Sequence, residues 1–229
     1  MSRTAAASWR AVLEGHGTDR VALVCEGRSL RYDELAREVA ALADRLEAEE
    51  VLAGDLVALL APPASEAVVL IHALLDTRAV MVPLNLRLTE AELAFELEAS
   101  RARWLVVAEE TRVLGDRLAG RVGCGLLRLG PVAGGGICLE VIRNPSSSGG
   151  AELAARRERL RAGGSALVLF TSGTSGRPKG ALLSLSSLRA SAQASAALLG
   201  SDPDDRWLLC MPLFHIGGLS ILVRSALAG

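Results

Sequence analysis

The sequence predicts an α/β protein whose mainly parallel sheets are covered by helices. Three observations carry that prediction. Short apolar runs alternate with helical stretches over residues 21–108, and such alternation builds parallel strands joined by crossover helices. A capping box, Thr89-Glu90-Ala91-Glu92, marks one helix start, because its hydroxyl and carboxylate satisfy two backbone N–H groups that lack a partner within the helix. Leu35, Val39, Leu42 and Leu46 form a stripe on one helical face, with charged residues elsewhere.

In chain order, residues 5–15 form a first helix and 21–25 a strand. Gly27 marks a turn, and 29–32 return as a short strand before the helix that begins near Asp33. Gly54-Asp55 turns into a strand at 56–60, ended by Pro62-Pro63. A mostly apolar helix covers 65–75 and a short strand 79–82, after which Pro83 stops regular pairing. Residues 104–108 continue the pattern. A helix is expected at 111–118 and strands at 126–129 and 137–142, separated by Gly134-Gly135-Gly136. The Pro/Ser/Gly-rich stretch 144–150 reads as a mobile surface loop. A charged helix follows at 151–161; its Arg156, Arg157, Arg159 and Arg161 read as a solvated face in preference to a patch for ligand phosphates. An apolar strand at 165–170, a loop, and a second apolar strand at 181–185 come next. A helix at 186–199 ends at Gly200, a strand spans 207–211 up to Pro212, and Gly217-Gly218 opens a last helix over 219–228.

Composition excludes several classes. The chain has 229 residues, half of them hydrophobic, and a formal net charge of −1, so nothing draws it toward nucleic acid or an anionic membrane. Aromatics make up 3%, too few for base-stacking platforms. The longest apolar region, 56–75, is interrupted by Pro62, Pro63, Ser65, Glu66 and His72, which argues against a membrane span. No uninterrupted apolar segment precedes Arg10 and Glu14, so no secretory signal is expected and the location expected is cytoplasmic. Cys25, Cys124, Cys138 and Cys210 form no C-x-x-C pair and read as small buried hydrophobes, not as a zinc or redox motif.

The chemistry concentrates in Phe170-Thr171-Ser172-Gly173-Thr174-Ser175-Gly176-Arg177-Pro178-Lys179-Gly180. Glycines let the backbone approach an oxyanion and take positive φ, so that successive N–H groups converge on one centre. Hydroxyls add donors and Lys179 adds a point charge. The stretch reads as a cradle for phosphate, against an ordinary Gly/Ser hairpin turn. It is not the P-loop of nucleoside triphosphatases, because Pro178 precedes Lys179 and Gly180 follows it. Gly173-Thr174-Ser175-Gly176 is one residue too short for a nucleophile elbow, and no G-x-G-x-x-G follows an early strand.

This stretch resembles the phosphate-binding signature of the adenylate-forming superfamily, which includes acyl-CoA synthetases, peptide-synthetase adenylation domains and luciferases. Met211-Pro212-Leu213-Phe214-His215-Ile216-Gly217-Gly218 resembles the superfamily's next motif at the expected distance. Two departures stand out: Arg31-Tyr32-Asp33-Glu34-Leu35 has arginine where a capping threonine is usual, and Ser184 stands where many relatives carry a histidine. Residues 205–222 look most like the o-succinylbenzoate–CoA ligases of menaquinone biosynthesis, with another acyl- or aryl-CoA ligase or a peptide-synthetase adenylation domain as the alternative.

The resemblance implies ATP-dependent activation of a small-molecule carboxylic acid as acyl-AMP, then transfer to CoA. It implies that Thr171, Ser172, Gly173, Thr174, Ser175, Gly176 and Lys179 hold the β- and γ-phosphates and that Thr174 touches Mg²⁺. Lys179 and His215 become the catalytic candidates, with His215 lining the acyl pocket and orienting the carboxylate; a core histidine bonded to backbone is its alternative. His16 and His72 receive no role. By the same resemblance, residues 1–229 form a partial amino-terminal AMP-binding domain, and the adenine, ribose and carboxy-terminal lysine motifs of the superfamily are not found in it. No turnover is expected from these residues alone; a nucleotide-binding fragment without catalysis is the remaining alternative.

Overall fold

The computed structural model describes residues 8–132, 136–146, 150–171, 178–200, 202 and 204–229. In chain order its elements are α1 (Trp9–Glu14), β1 (Val21–Cys25), β2 (Arg28–Arg31), α2 (Tyr32–Ala48), β3 (Leu56–Leu60), α3 (Ser65–Thr77), β4 (Val80–Pro83), α4 (Glu90–Ser100), β5 (Trp104–Val107), α5 (Arg112–Val122), β6 (Gly125–Pro131), β7 (Ile137–Arg143), α6 (Ala151–Ala162), β8 (Ser165–Thr171), β9 (Lys179–Ser184), α7 (Leu185–Leu199) and α8 (Ile216–Ala228). β1 and β2 pair as a separate hairpin, and seven strands make a sheet of order β7-β6-β5-β3-β4-β8-β9. Its five middle strands are parallel, and β7 and β9 run antiparallel at the edges. The α/β class read from the sequence is the observed one.

Strand alternation sorts the core into two layers. Val57, Leu59, Met81, Val106 and Leu127 point toward the layer of α2 and α3, while Leu56, Ala58, Leu60, Val80, Val82 and Leu105 point toward α4 and α5. Every residue of β3 is buried, as a central strand covered on both faces requires. The capping box forms as expected: the Glu92 side chain accepts from the Thr89 N–H at 2.8 Å, and the Glu92 N–H donates to the Thr89 hydroxyl at 3.4 Å. At α2, where arginine replaces the capping hydroxyl, half of that arrangement survives, with the Arg31 N–H donating to Glu34 at 2.8 Å. Ser184, standing where a histidine is usual, caps α7 by accepting from the Ser187 N–H at 3.1 Å.

Four expectations need correction. No strand forms at 207–211, because that apolar run finds no ladder partner among the described residues; Leu208 is 80% exposed and the Trp207 ring instead lies 3.8 Å from the Arg224 guanidinium. Pro83 does not stop pairing but is the last residue of β4, opposite Leu59. Only Cys124 among the cysteines is buried, and Cys210 is exposed. Arg157 is not on a solvated face: it holds the fully buried Asp55 through Nε at 2.5 Å and Nη2 at 2.8 Å. Gly54 permits that approach, since a Cβ there would lie 2.3 Å from the Arg157 carbonyl oxygen. What reads as a plain Gly-Asp turn is the seat of α6 against β3. Residues 133–135, within the glycine-rich separator, and 147–149, within the expected loop, lie outside the described residues.

His72 is buried in the α2/α3 layer and accepts a hydrogen bond at Nδ1 from the Trp9 indole at 2.9 Å. Burial depresses its pKa to about 4, against 6.5 when unfolded. The unfolded chain therefore takes up this proton first, and the contribution to stability is present above pH 6.5 and lost as pH falls through about 4. Glu96 works in the opposite sense: burial, then the charge of Glu92, raises its pKa to about 7, so its contribution is lost as pH rises. Comparing parent with His72→Asn isolates the first effect. The parent is expected to lose about 2–3 kcal/mol more than the variant between about pH 7.5 and about pH 4.5, read from urea midpoints.

Candidate functional site

The signature stretch leaves the carboxyl end of a sheet strand and returns as the edge strand. Thr171 sits opposite Lys179 as the closing pair of the β8–β9 hairpin, and its hydroxyl donates to the Lys179 carbonyl at 3.4 Å. Ser172, Gly173, Thr174, Ser175 and Gly176 lie outside the described residues. Thr171 and Lys179 are both exposed. The glycine after the lysine has a packing reason: a Cβ at Gly180 would come within 3.0 Å of Val168 Cγ1.

His215 occupies the N-cap position of α8 in extended conformation. Its backbone is pinned, with its N–H donating to Pro212 at 3.1 Å and its carbonyl accepting from Gly218 at 3.1 Å and Leu219 at 3.2 Å. Its ring is at an exposed position, tilted against Phe214 with centroids 4.7 Å apart. It is not a core histidine.

Sheet topology brings both motifs to one edge. Pro212, Leu213 and Phe214 meet Leu59, Ala61, Pro83 and Leu84 at the carboxyl ends of β3 and β4, leaving a cavity of only about 20 Å³ between them. β8 is the parallel neighbour of β4, with Met81 opposite Leu167. Thr171, at the end of β8, and the turn that carries His215 thus lie at the carboxyl edge of adjacent strands, where α/β sheets bind their ligands. The crevice between β3 and β5, where crossovers diverge, is plugged by the Thr111 hydroxyl, which donates to the Leu60 carbonyl at 2.6 Å. Thr171 and the His215 turn lie on the β4–β8 side instead.

Gly218 makes this turn possible. A Cβ there would sit 2.4 Å from the Pro212 carbonyl oxygen and 2.7 Å from that of Met211, both backbone atoms that cannot swing away. At Gly217 the nearest atom is the flexible end of Met211 at 3.4 Å. Gly218→Ala is expected to cost about 1–3 kcal/mol of stability in chemical denaturation, and Gly217→Ala much less.

A pocket that sequence reasoning missed lies between α7 and α8. It holds about 270 Å³ and is lined by Ser187, Ser191, Ser195, Ser220 and Arg224, with Ile216 at one side. Arg224 donates from Nη1 to the Ser195 hydroxyl at 2.9 Å and stacks on Trp207. With this guanidinium among serine hydroxyls, the pocket suits a carboxylate. The signal was in the sequence: Ser187, Ser191 and Ser195 repeat every fourth residue and share one face of α7. The far end of α8 is fixed by the amino-terminal segment, where the Tyr32 hydroxyl donates to the Ser225 carbonyl at 2.9 Å and His16 Nε2 lies 2.8 Å from that of Ala226. His16 thus has a structural place.

Residues 9–229 match the AMP-binding enzyme family. The chain belongs to that family. The family resemblance carried by the two motifs is thereby met. This AMP-binding chain is 33% identical over 211 residues to the 2-succinylbenzoate–CoA ligase of Bacillus cereus, covering 92% of the chain and 39% of that protein. It is 33% identical over 208 residues to the corresponding ligase of Listeria monocytogenes, covering 91% and 40%. Among solved structures it is similar to the o-succinylbenzoate CoA synthetase of Bacillus subtilis in complex with ATP and magnesium, with a TM-score of 0.75 and 25% identity over 96% of this chain and 55% of that one. The same enzyme in complex with its acyl-adenylate intermediate gives a TM-score of 0.74 and 26% identity over 96% and 53%. The chain therefore spans about two-fifths of the length of the curated relatives it matches. Among the described residues no helix is long and apolar enough to cross a membrane.

Proposed function

We propose that this AMP-binding chain is the amino-terminal part of an ATP-dependent acid–CoA ligase whose acid is an aromatic dicarboxylate of the succinylbenzoate type. What supports the reading is that Thr171 and Lys179 of the signature hairpin and the His215 turn lie at the carboxyl ends of neighbouring strands of one sheet. A carboxylate repels a thiolate, so thioester formation at neutral pH needs a better leaving group. One carboxylate oxygen attacks the α-phosphorus of ATP, the bond to the bridging oxygen breaks, and pyrophosphate leaves with the electron pair. The sulfur of CoA then attacks the acyl carbon and AMP leaves.

The chain's own residues have defined parts in this scheme. Backbone N–H groups and hydroxyls of 171–176, with Lys179, would hold the β- and γ-phosphates where charge shifts onto pyrophosphate in the transition state. Among the described residues no cluster of His, Cys, Asp or Glu could hold a metal; Thr174 would offer its hydroxyl to a Mg²⁺ that arrives with the nucleotide, as suits an ion ligated largely by phosphate oxygens and water. His215, with its backbone pinned and its ring exposed, would orient the attacking carboxylate by one hydrogen bond. Arg224 and the serines around it would take the second carboxylate of the acid.

Acid-dependent ATP–pyrophosphate exchange in the complete ligase tests the reading. 2-Succinylbenzoate is expected to support exchange, and Arg224→Leu to raise its KM by about tenfold or more while leaving a monocarboxylic aryl acid little changed. Exchange that runs without acid, or that prefers the monoacid in the parent, would contradict it.

A further inference from the structure

At the opposite, amino-terminal edge of the sheet lies a cavity of about 530 Å³ bounded by the ends of α4 and α5 and by the first turn of α6. Its walls are basic. Arg103, which directly precedes β5, has a side chain only 10% exposed, and its Nε is buried without an acceptor among the described residues. Arg156 of α6 also buries its Nε without an acceptor. Two guanidiniums, Arg103 and Arg157, meet one buried carboxylate, Asp55, and Arg157 has taken both of its oxygens, which leaves Arg156 without an ion pair among the described residues. Arg103 donates from Nη1 to the Glu50 carbonyl at 3.5 Å and lies 3.6 Å from the carboxylates of Asp55 and Glu50. The acids on the wall are engaged elsewhere: Glu152 pairs with Arg101 at 2.7 Å, and Glu98 lies 4.0 Å from Arg121. Burial, joined by the charges of Arg101 and Arg157, pulls the pKa of Arg156 down against the attraction of Asp55 and Glu152.

The amino end of α6 opens into the same space. Gly150 is its N-cap and has no side chain to cap it; Leu153 and Ala154 donate back to the Gly150 carbonyl at 3.1 and 3.3 Å, which leaves the Ala151 and Glu152 N–H groups of this twelve-residue helix without a side-chain cap beside the cavity. Guanidiniums that line a cavity and a helix amino end are what a phosphate recruits. The rest of the wall is apolar, from Leu97, Val122 and Leu153, and the volume is that of a small organic ligand.

We propose that this cavity is a second anion site that binds a small organic phosphate, its phosphoryl group held by Arg156, Arg103 and the amino end of α6 and its carbon skeleton against Leu97, Val122 and Leu153. The site is separate from Thr171 and Lys179, which lie at the other ends of the strands. Nothing in the adenylation reading requires it, and it stands if that reading fails.

Phenyl phosphate is a suitable probe, followed by ¹⁵N–¹H spectra of the complete protein. Saturable shifts are expected at the amides of Glu152, Leu153 and Gly123, with binding weakened by about tenfold in Arg156→Gln and unchanged in Lys179→Ala. Inorganic phosphate should bind more weakly, because it lacks the apolar part. Arg156 makes no ion pair within 4.0 Å among the described residues, so Arg156→Gln is expected to keep or raise the thermal midpoint while losing the rise that phenyl phosphate gives the parent. No saturable shift at those amides, equal affinity in Arg156→Gln, or loss of binding in Lys179→Ala alone would overturn the site. Equal affinity for inorganic phosphate would overturn the organic ligand class.

Discussion

Arg157→Ala is expected to lower the unfolding free energy by about 3–5 kcal/mol, the range for breaking a buried ion pair by removing one partner. Asp55 has no exposed surface and both its oxygens are held by the Arg157 fork. Without that fork the carboxylate keeps the Leu52 N–H at 3.0 Å and an Arg103 nitrogen at 3.6 Å, too little to replace water around a full charge. The cost is structural as well, because Asp55 opens β3 and Arg157 is the point where α6 is tied to it. Arg159, exposed on the same helix, provides the control, and Arg159→Ala should stay within about 0.5 kcal/mol of the parent. Urea midpoints read the difference, and equal midpoints for the two variants would refute the buried pair.

The second large effect is catalytic. Lys179→Ala in the complete ligase is expected to slow acid-dependent ATP–pyrophosphate exchange by about 10²–10³-fold, or on the order of 2.7–4 kcal/mol, if the ammonium meets charge that develops on the departing pyrophosphate. Its position supports a reach toward the loop: it is the first residue of β9, directly across the hairpin from Thr171. Because the residue is exposed and its backbone serves the hairpin, the truncation should leave stability nearly unchanged. Exchange at the parental rate would remove Lys179 from the mechanism.

Much of this was legible in the sequence. Parallel strands show as unbroken apolar runs because both faces are covered, and β3, β4 and β5 were readable for that reason. Caps at Thr89 and breaks at glycine and proline set the helix ends to within a few residues. What failed were features fixed by partners distant in sequence. The run 207–211 has the composition of a strand, but a strand exists only with a neighbour to bond. Arg157 looks like its exposed neighbours on α6 until Asp55, 102 residues earlier, is placed beneath it. The order of motifs was enough to propose Thr171, Lys179 and His215 together, and the sheet sets them at one edge, whereas the Arg224 pocket needed α7 and α8 to be packed together before its serines and guanidinium met.

The central claim is that the hairpin loop and Lys179 grip a pyrophosphoryl group, and equilibrium binding of magnesium pyrophosphate tests it most directly. Measured in an Arg156→Gln background, so that the amino-terminal cavity contributes little, binding should be saturable and should weaken by about ten- to a hundredfold when Lys179→Ala is added. Identical affinities with and without the lysine, or no saturable binding at all, would contradict the claim.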